Sequence, residues 1–166
     1  MAIEKVVVAG GGVLGSQIAF QTAYCGFDVT IWLRSEGSIG RTQPKIDSVY
    51  KSYIEAIEGM ADGSGAWCAG IADSNAPFNK EACLAKVEQA YKNLKLELDM
   101  AKAVSDADLV IESMSEDPKA KIDVYQKLAP LLPEKTLLAS NSSTLLPSQF
   151  AKFTGCLLYT SDAADD

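Results

Sequence analysis

Three glycines near the start of the chain, Gly10, Gly12 and Gly15, have the spacing G-x-G-x-x-G. In a dinucleotide site the first glycine permits a tight turn, the second lets the backbone approach a pyrophosphate, and the third lets a helix pack against a strand. The N–H groups at the start of that helix then bind the phosphates. A glycine-rich turn without a ligand can have the same spacing, so the motif predicts a dinucleotide site only between a strand and a helix.

The sequence around the glycines predicts that context. Residues 5–9, KVVVA, form a short β-branched run that is typical of a strand buried on both faces. After the glycines, four residues recur at helical spacing: Leu14, Ile18, Thr22 and Cys25. Gly26 is placed to end this helix, and residues 28–33, DVTIWL, predict a second strand. The glycines therefore lie at the first turn of a βαβ unit, which favours dinucleotide binding over an empty turn.

The end of the second strand bears on which dinucleotide binds. A carboxylate about twenty residues after the glycines usually accepts hydrogen bonds from the adenosine ribose, but Leu33 stands near this position and cannot accept them. Arg34 and Ser35, with Arg41 as a further candidate, can instead hold a ribose 2′-phosphate through charge-assisted contacts. The alternative for Arg34 is a solvated loop charge. NAD and NADP both remain candidate cofactors, with a hint of NADP.

The rest of the chain alternates helices and strands. Helical patterns cover residues 46–60 and 79–94, and the Gly- and Ala-rich residues 61–78 between them are predicted to lie outside the sheet. A strand, a short helix, a strand, a helix that starts at Pro118 and a final strand follow, at residues 94–100, 101–107, 108–114, 118–132 and 135–140. This pattern predicts an α/β fold of the Rossmann type, a doubly wound, mainly parallel sheet with strand order 3-2-1-4-5 and helices on both faces.

Composition limits the partners and the location. With 166 residues, the chain is long enough for one well-buried domain. A net charge of −7 opposes nucleic acid, and the sequence shows neither a secretory signal nor a membrane-length apolar run, so we expect a cytoplasmic protein without membrane contact. The four cysteines lack zinc-site spacing, so we expect free thiols and no metal. The chain has no histidine, the side chain most often used for proton transfer near neutral pH.

Residues 156–166, CLLYTSDAADD, have neither helical nor strand periodicity. The string resembles the translation of a transposon-end adapter that is used to fragment DNA for sequencing, and a native acidic tail is the alternative. We therefore expect residues 1–155 to form a dinucleotide-binding domain that is incomplete at its C-terminal end. Residues 156–166 are expected to be non-native.

The N-terminal domain of the 3-hydroxyacyl-CoA dehydrogenase family resembles three segments of this chain, VVVAGGGVLGSQIAFQTAYCGFDVTIW at 6–32, DADLVIESMSEDPKAKIDVYQKL at 106–128 and TLLASNSSTLLPSQFAKFTG at 136–155. The resemblance implies a Rossmann domain that a helical dimerisation domain follows in the whole protein. It also implies that the parent is an oxidoreductase of fatty acid metabolism, a homodimer that transfers hydride between a 3-hydroxyacyl-CoA and NAD or NADP.

The resemblance further implies roles for individual residues. The glycine loop holds the pyrophosphate, with Val13 and Leu14 contributing N–H groups. Glu116 and Lys121 border the nicotinamide side of the cofactor, and Ser143 lies near both the cofactor and the substrate hydroxyl. Each of these three has a plainer alternative, which is a helix N-terminal charge for Glu116, a surface lysine for Lys121 and a turn or cap residue for Ser143.

Two departures from the family pattern limit what can be carried over. Leu33 stands where the family has its ribose-binding acid, and the family's CoA-binding Ser and Lys have no clear counterparts here. In the family a His–Glu pair acts on the substrate, and the imidazole removes the hydroxyl proton as hydride leaves. That His should lie beyond Ser143, where this sequence is adapter-like. The resemblance thus implies a fragment that has no catalytic residues and no turnover.

Two other functions stay open. A stand-alone nucleotide-binding module, for example a redox sensor, needs only the cofactor site. A related dehydrogenase that acts on another β-hydroxy acid is equally compatible with the pattern, because a fold does not determine its substrate.

Overall fold

The computed structural model of the chain describes residues 2–142, 145, 147–154 and 158–160. Its strands are Lys5–Ala9 (β1), Asp28–Trp32 (β2), Lys95–Glu97 (β3), Leu109–Glu112 (β4), Leu137–Ser140 (β5) and Leu158–Thr160 (β6). Its helices are Val13–Tyr24 (α1), Glu36–Asp62 (α2), Lys80–Asn93 (α3), Met100–Val104 (α4), Pro118–Leu128 (α5) and Ala151–Thr154 (α6). Among these residues no helix combines the length and the apolar character needed to span a bilayer.

The described strands form one parallel sheet in the order β3-β2-β1-β4-β5-β6. Val6 of β1 lies opposite Val29 of β2 on one side, and Val7 lies opposite Val110 of β4 on the other. The predicted order 3-2-1-4-5 is confirmed, and β6 extends it. Strand order reverses beside β1, so a crevice is expected at the carboxyl ends of β1 and β4.

Side chains of β1 alternate between two hydrophobic cores. Val6 and Val8 face the core that α1, α2 and α3 cover. Val7 and Ala9 face the core that α4 and α5 cover. All four are buried. A strand with both faces covered is apolar at successive positions, which is why the run KVVVA predicted β1 with its correct bounds.

Helix α2 begins earlier than the sequence pattern indicates. A helix was predicted at 46–60, but α2 starts at Glu36. The predicted start was wrong because Gly37 and Pro44 are weak helix formers, and a proline inside a helix removes one backbone hydrogen bond. Burial of Thr42 against the glycine loop shows that tertiary packing outweighs these local preferences. The longer helix brings additional polar residues to the loop.

The connection between α2 and α3 is irregular. Residues 63–79 contain only turns, bends and unassigned backbone, as predicted for 61–78. Two side chains of α1 hold this segment, because Tyr24 and Gln21 donate hydrogen bonds to the carbonyls of Ile71 and Gly70.

Strand β6 lies inside the adapter-like segment, residues 156–166, and pairs with β5. The segment lacks strand periodicity in its sequence, yet Leu158–Thr160 is a strand in the structure. An open edge of a sheet offers unpaired N–H and C=O groups, which any extended backbone can satisfy whatever its side-chain pattern.

Candidate functional site

An open cleft of about 670 Å³ lies at the carboxyl ends of β1, β2 and β4. Three parts of the chain line it: the glycine loop after β1, the end of β2 with the beginning of α2, and the loops after β4 and β5. The lining residues are 10–15, 32–34, Ser38, Arg41, Thr42, Lys45, 113–116 and Asn141. The cleft occupies the place where strand order reverses, which is where doubly wound sheets bind their ligands.

Two glycines of the loop are required by the fold. Gly10 has a φ of +127°, and a Cβ placed on it would lie 2.2 Å from the carbonyl oxygen of Ser113. A Cβ on Gly15 would lie 2.2 Å from the carbonyl oxygen of Gly10. Both neighbours are backbone atoms directly after a strand of the sheet, and they cannot move aside cheaply. These glycines let α1 pack closely against the sheet.

Gly12 differs from both, because no described atom lies within 4 Å of a Cβ placed on it. It is the N-cap of α1, it makes no side-chain cap, and the first turn of α1 contains no acidic residue. The N–H groups at the start of a helix have no acceptor within the helix. Open space beside a helix N-terminus without a protein carboxylate fits a pyrophosphate.

Val13 and Leu14 lie at the rim of the cleft and are exposed, at 65% and 54%. Large apolar side chains that are exposed at the rim of a concave site indicate ligand binding, because a bound ligand covers such surface. The first turn of α1 therefore presents both amide donors and apolar contact area to the cleft.

The end of β2 and the first turns of α2 form another wall of the cleft. Leu33 is buried, and its side chain lies against Gly11. Thr42 donates a hydrogen bond to the Gly11 carbonyl at 3.1 Å, and Lys45 donates to the same oxygen at 3.4 Å. Arg34 is exposed and lines the cleft. Thr42 and Lys45 are absent from the predicted site because the sequence pattern starts this helix at residue 46, after both of them.

Glu116 and Lys121 do not share the surface of the cleft. Glu116 lines it and accepts a hydrogen bond from the Ser142 hydroxyl at 2.7 Å. Lys121 does not line it, because its side chain is only 1% exposed. The Lys121 ammonium lies 2.8 Å from one carboxylate oxygen of Glu112 and 3.8 Å from one of Glu116. The reading of Lys121 as a surface lysine is therefore wrong, and its ammonium contacts protein carboxylates beneath the cleft.

Glu112, at the end of β4, is a buried carboxylate that was not among the predicted site residues. Its Oε2 accepts hydrogen bonds from Lys121 at 2.8 Å, Tyr125 at 3.0 Å and Ser140 at 2.6 Å. Its Oε1 accepts the N–H of Met114 at 2.7 Å. Burial and the nearby negative charge of Glu112 raise the pKa of Tyr125. The sequence feature that could have indicated this buried carboxylate is the glutamate at the end of the otherwise apolar run LVIE.

The segment after β5 is tied to the loop after β4. Asn141 lines the cleft, and its amide donates to the Ser113 hydroxyl at 2.9 Å. The Ser142 hydroxyl, also after β5, donates a hydrogen bond to the Glu116 carboxylate, after β4. Ser143, the predicted contact of the substrate hydroxyl, lies outside the described residues, so its place stays a prediction.

Residues 5–156 match the family model described as 3-hydroxyacyl-CoA dehydrogenase, NAD binding domain. This chain belongs to that family. It is 30% identical over 152 residues to 3-hydroxybutyryl-CoA dehydrogenase of Clostridioides difficile, and 28% identical over 152 residues to mitochondrial hydroxyacyl-coenzyme A dehydrogenase of Rattus norvegicus. These matches cover 90% and 92% of this chain but only 45% and 43% of the relatives, so the chain spans less than half of their length.

Solved structures of dehydrogenases and reductases are also similar. A diketoreductase, studied for dual catalysis of dicarbonyl compounds, is 36% identical with a TM-score of 0.67, and the match covers 96% of this chain and 50% of that one. FadB2 of M. tuberculosis has a TM-score of 0.73 at 23% identity, covering 96% and 49%, and this likeness shows the fold alone. The sequence-based assignment to the family is confirmed, and the match extends through α2 and α3 as well.

Proposed function

We propose that this domain holds the nicotinamide cofactor of an oxidoreductase that transfers hydride between a 3-hydroxyacyl-CoA and NAD or NADP. The open space at Gly12, directly before the N-terminus of α1, carries the proposal. A pyrophosphate needs backbone amides and the absence of a side chain at such a position. The relatives from C. difficile and R. norvegicus are named as dehydrogenases of acyl-CoA compounds, which supports the same substrate class here.

At the phosphate end, the N–H groups of Val13 and Leu14 bind the pyrophosphate, and the apolar parts of these residues cover it from solvent. Leu33 and Arg34 border the adenosine ribose, because they close the wall of the cleft at the end of β2. None of these contacts requires a side-chain proton transfer. This end of the cleft therefore binds and orients the cofactor.

At the nicotinamide end, Glu116 and Asn141 border the ring, and Ser143 contacts the substrate hydroxyl. When bound, the nicotinamide supplies the hydride acceptor or donor. Lys121 acts through the protein, because its ammonium holds Glu112 and lies near Glu116. The histidine-free sequence offers no imidazole for proton transfer. We therefore propose that this chain binds cofactor without turnover, and that activity belongs to a longer homodimeric parent in which residues 156–166 are replaced by native sequence.

A second candidate is a related dehydrogenase or reductase that acts on a β-hydroxy acid or a dicarbonyl compound without CoA. The diketoreductase is 36% identical to this chain, against 30% and 28% for the two acyl-CoA dehydrogenases. A nucleotide sensor without catalysis is the remaining alternative. Turnover of free acetoacetate-type substrates by an extended protein would favour the second candidate over acyl-CoA chemistry.

Fluorescence titration of the purified chain with NADH and NADPH tests the cofactor assignment. Trp32 lines the cleft, whereas Trp67, the other tryptophan of the chain, is 46% exposed and does not line it. A Trp67→Phe variant therefore isolates the signal of Trp32. We expect saturable quenching by at least one of the two cofactors. Absence of binding by both at millimolar concentration would overturn the proposed function.

A further inference from the structure

Three cationic side chains line the wall of the cleft formed by the end of β2 and the beginning of α2. They are Arg34, Arg41 and Lys45. The chain as a whole has a net charge of −7, yet among the described residues that line the cleft the single carboxylate is that of Glu116. Glu116 belongs to the opposite wall, after β4, where it accepts a hydrogen bond from Ser142. The β2–α2 wall is therefore a local positive site in an acidic protein.

None of these three cations forms an ion pair with a carboxylate among residues 2–142. Arg41 donates to the hydroxyl of Ser38 at 3.0 Å, and Lys45 donates to the Gly11 carbonyl at 3.4 Å, both of which are neutral acceptors. A guanidinium has five N–H donors in a planar fork, so one such bond leaves most of them available to an oxyanion.

Leu33 removes the group that favours the other cofactor. Because it is 3% exposed and apolar, it offers no acceptor to the two hydroxyls of an adenosine ribose. It also carries no negative charge that would repel a phosphate at this place. The neutral side chain of Leu33 and the three cations therefore both favour a cofactor that carries a phosphate on its adenosine ribose.

We infer that Arg34, Arg41 and Lys45 bind the phosphate monoester on the ribose 2′-hydroxyl, so that the domain prefers NADP(H) to NAD(H). This inference rests on the proposed function, because it takes the cleft as a nicotinamide dinucleotide site. A phosphate monoester near neutral pH carries close to two negative charges and three acceptor oxygens, which match two guanidinium groups and an ammonium. Ser38 and Thr42, on the same helix, complete a polar lining around it.

The test compares dissociation constants for NADPH and NADH in the Trp67→Phe background. We expect NADPH to bind at least about tenfold more tightly, which corresponds to about 1.4 kcal/mol. The double variant Arg34→Gln/Arg41→Gln should lose this preference, with the affinity for NADPH falling at least about tenfold more than the affinity for NADH. Lys51→Gln is the matched control, because Lys51 is an exposed cation of α2 that does not line the cleft. It should leave both affinities unchanged.

Two further measurements sharpen the result. Adenosine 2′,5′-bisphosphate should displace NADPH more effectively than ADP does, because only the former carries the 2′-phosphate. Leu33→Asp should move the preference toward NADH. Leu33→Asn introduces a neutral side chain of nearly the same size as Asp, so comparing the two variants separates the effect of the charge from the effect of lost packing. Tighter binding of NADH than of NADPH by the unaltered chain would overturn the inference and leave the proposed function intact. Binding of neither cofactor would overturn both.

Discussion

At the scale of single residues, the glycine loop separates binding from folding. A side chain at Gly12 enters open space, whereas one at Gly15 meets the carbonyl oxygen of Gly10. The same motif therefore contains one glycine with open space beside it and one glycine that close packing requires. Sequence alone shows the spacing and cannot show this difference, because it depends on how α1 lies against β1.

We expect Gly12→Val to abolish binding of NADH and NADPH while the domain keeps its thermal midpoint to within a few degrees. Gly15→Ala should destabilise the domain by about 1–3 kcal/mol, because its Cβ overpacks a backbone contact. Urea denaturation and cofactor titration of both variants check this pair. Retained binding by a folded Gly12→Val protein would contradict the role given to the loop.

Lys121 illustrates what sequence could not predict at this scale. Its position in the family-like segment indicated the nicotinamide side, but the direction of a long side chain is not encoded in its spacing. The structure turns it inward to Glu112, nine positions earlier in the chain. An ion pair at 1% exposure is costly to break, because the remaining carboxylate then stays buried without its counter-charge.

We expect Lys121→Met to cost about 3–5 kcal/mol of folding free energy. Tyr125→Phe removes one neutral hydrogen bond to the same carboxylate and should cost about 1 kcal/mol. Lys127→Met is the matched control on α5, since Lys127 is 63% exposed and pairs with Asp123 at the surface. Chemical denaturation of the three variants decides the matter, and equal losses for Lys121→Met and Lys127→Met would show that the buried pair is not a strong stabilising contact.

At the scale of elements, Asp108, directly before β4, connects the beginning of β4 to the beginning of β1 through hydrogen bonds. Its carboxylate accepts the N–H groups of Glu4 and Lys5, each at 2.9 Å, and an ion pair from Lys135. The Lys135 ammonium, followed by these backbone donors, holds the pKa of Asp108 well below its ordinary value of 3.8. A depressed pKa in the folded state means that the charged carboxylate stabilises the fold.

This stabilisation is complete above the ordinary carboxyl pKa and is lost as pH falls through the lower pKa of the folded state. We expect Asp108→Asn to reduce stability at neutral pH and to lessen the further loss of stability on acidification. Urea midpoints at neutral pH and in acid below the ordinary carboxyl pKa measure both effects. Asp123→Asn, on the exposed side of α5, is the control and should keep the acid loss of the parent. An undiminished acid loss in Asp108→Asn would count against this carboxylate as a source of the effect.

The elements differ in how far sequence determines them. β1, α1 and β2 were predicted closely, because apolar runs and helical spacing report the two buried faces of the sheet. The first turns of α2 were not, because Gly37 and Pro44 oppose a helix that packing against the loop at Gly11 maintains. The polar wall of the cleft lies on those turns. On this wall the sequence indicated Leu33, Arg34 and Arg41, whereas Thr42 and Lys45 became visible only with the longer helix.

At the scale of the whole molecule, cofactor binding and catalysis are expected to separate. Residues 1–155 should bind cofactor but should not reduce acetoacetyl-CoA, because catalysis requires a positioned acid or base and a surface that holds the substrate. Orientation alone can contribute about 7–11 kcal/mol to lowering a barrier. A chimera that continues into the downstream half of a family member should be active. Absorbance of NADH and NADPH follows both proteins, and activity in residues 1–155 alone would refute this division of roles.

The exposed pair Val13 and Leu14 has a thermodynamic consequence beyond recognition. A ligand that covers them binds the folded state and not the unfolded chain, so the folding equilibrium becomes linked to the ligand's concentration. At about one hundred times the dissociation constant the added stability is about 2.7 kcal/mol, a substantial fraction of the 5–15 kcal/mol typical of a domain. A cofactor bound as proposed would therefore raise the free energy of unfolding of this domain as its concentration rises.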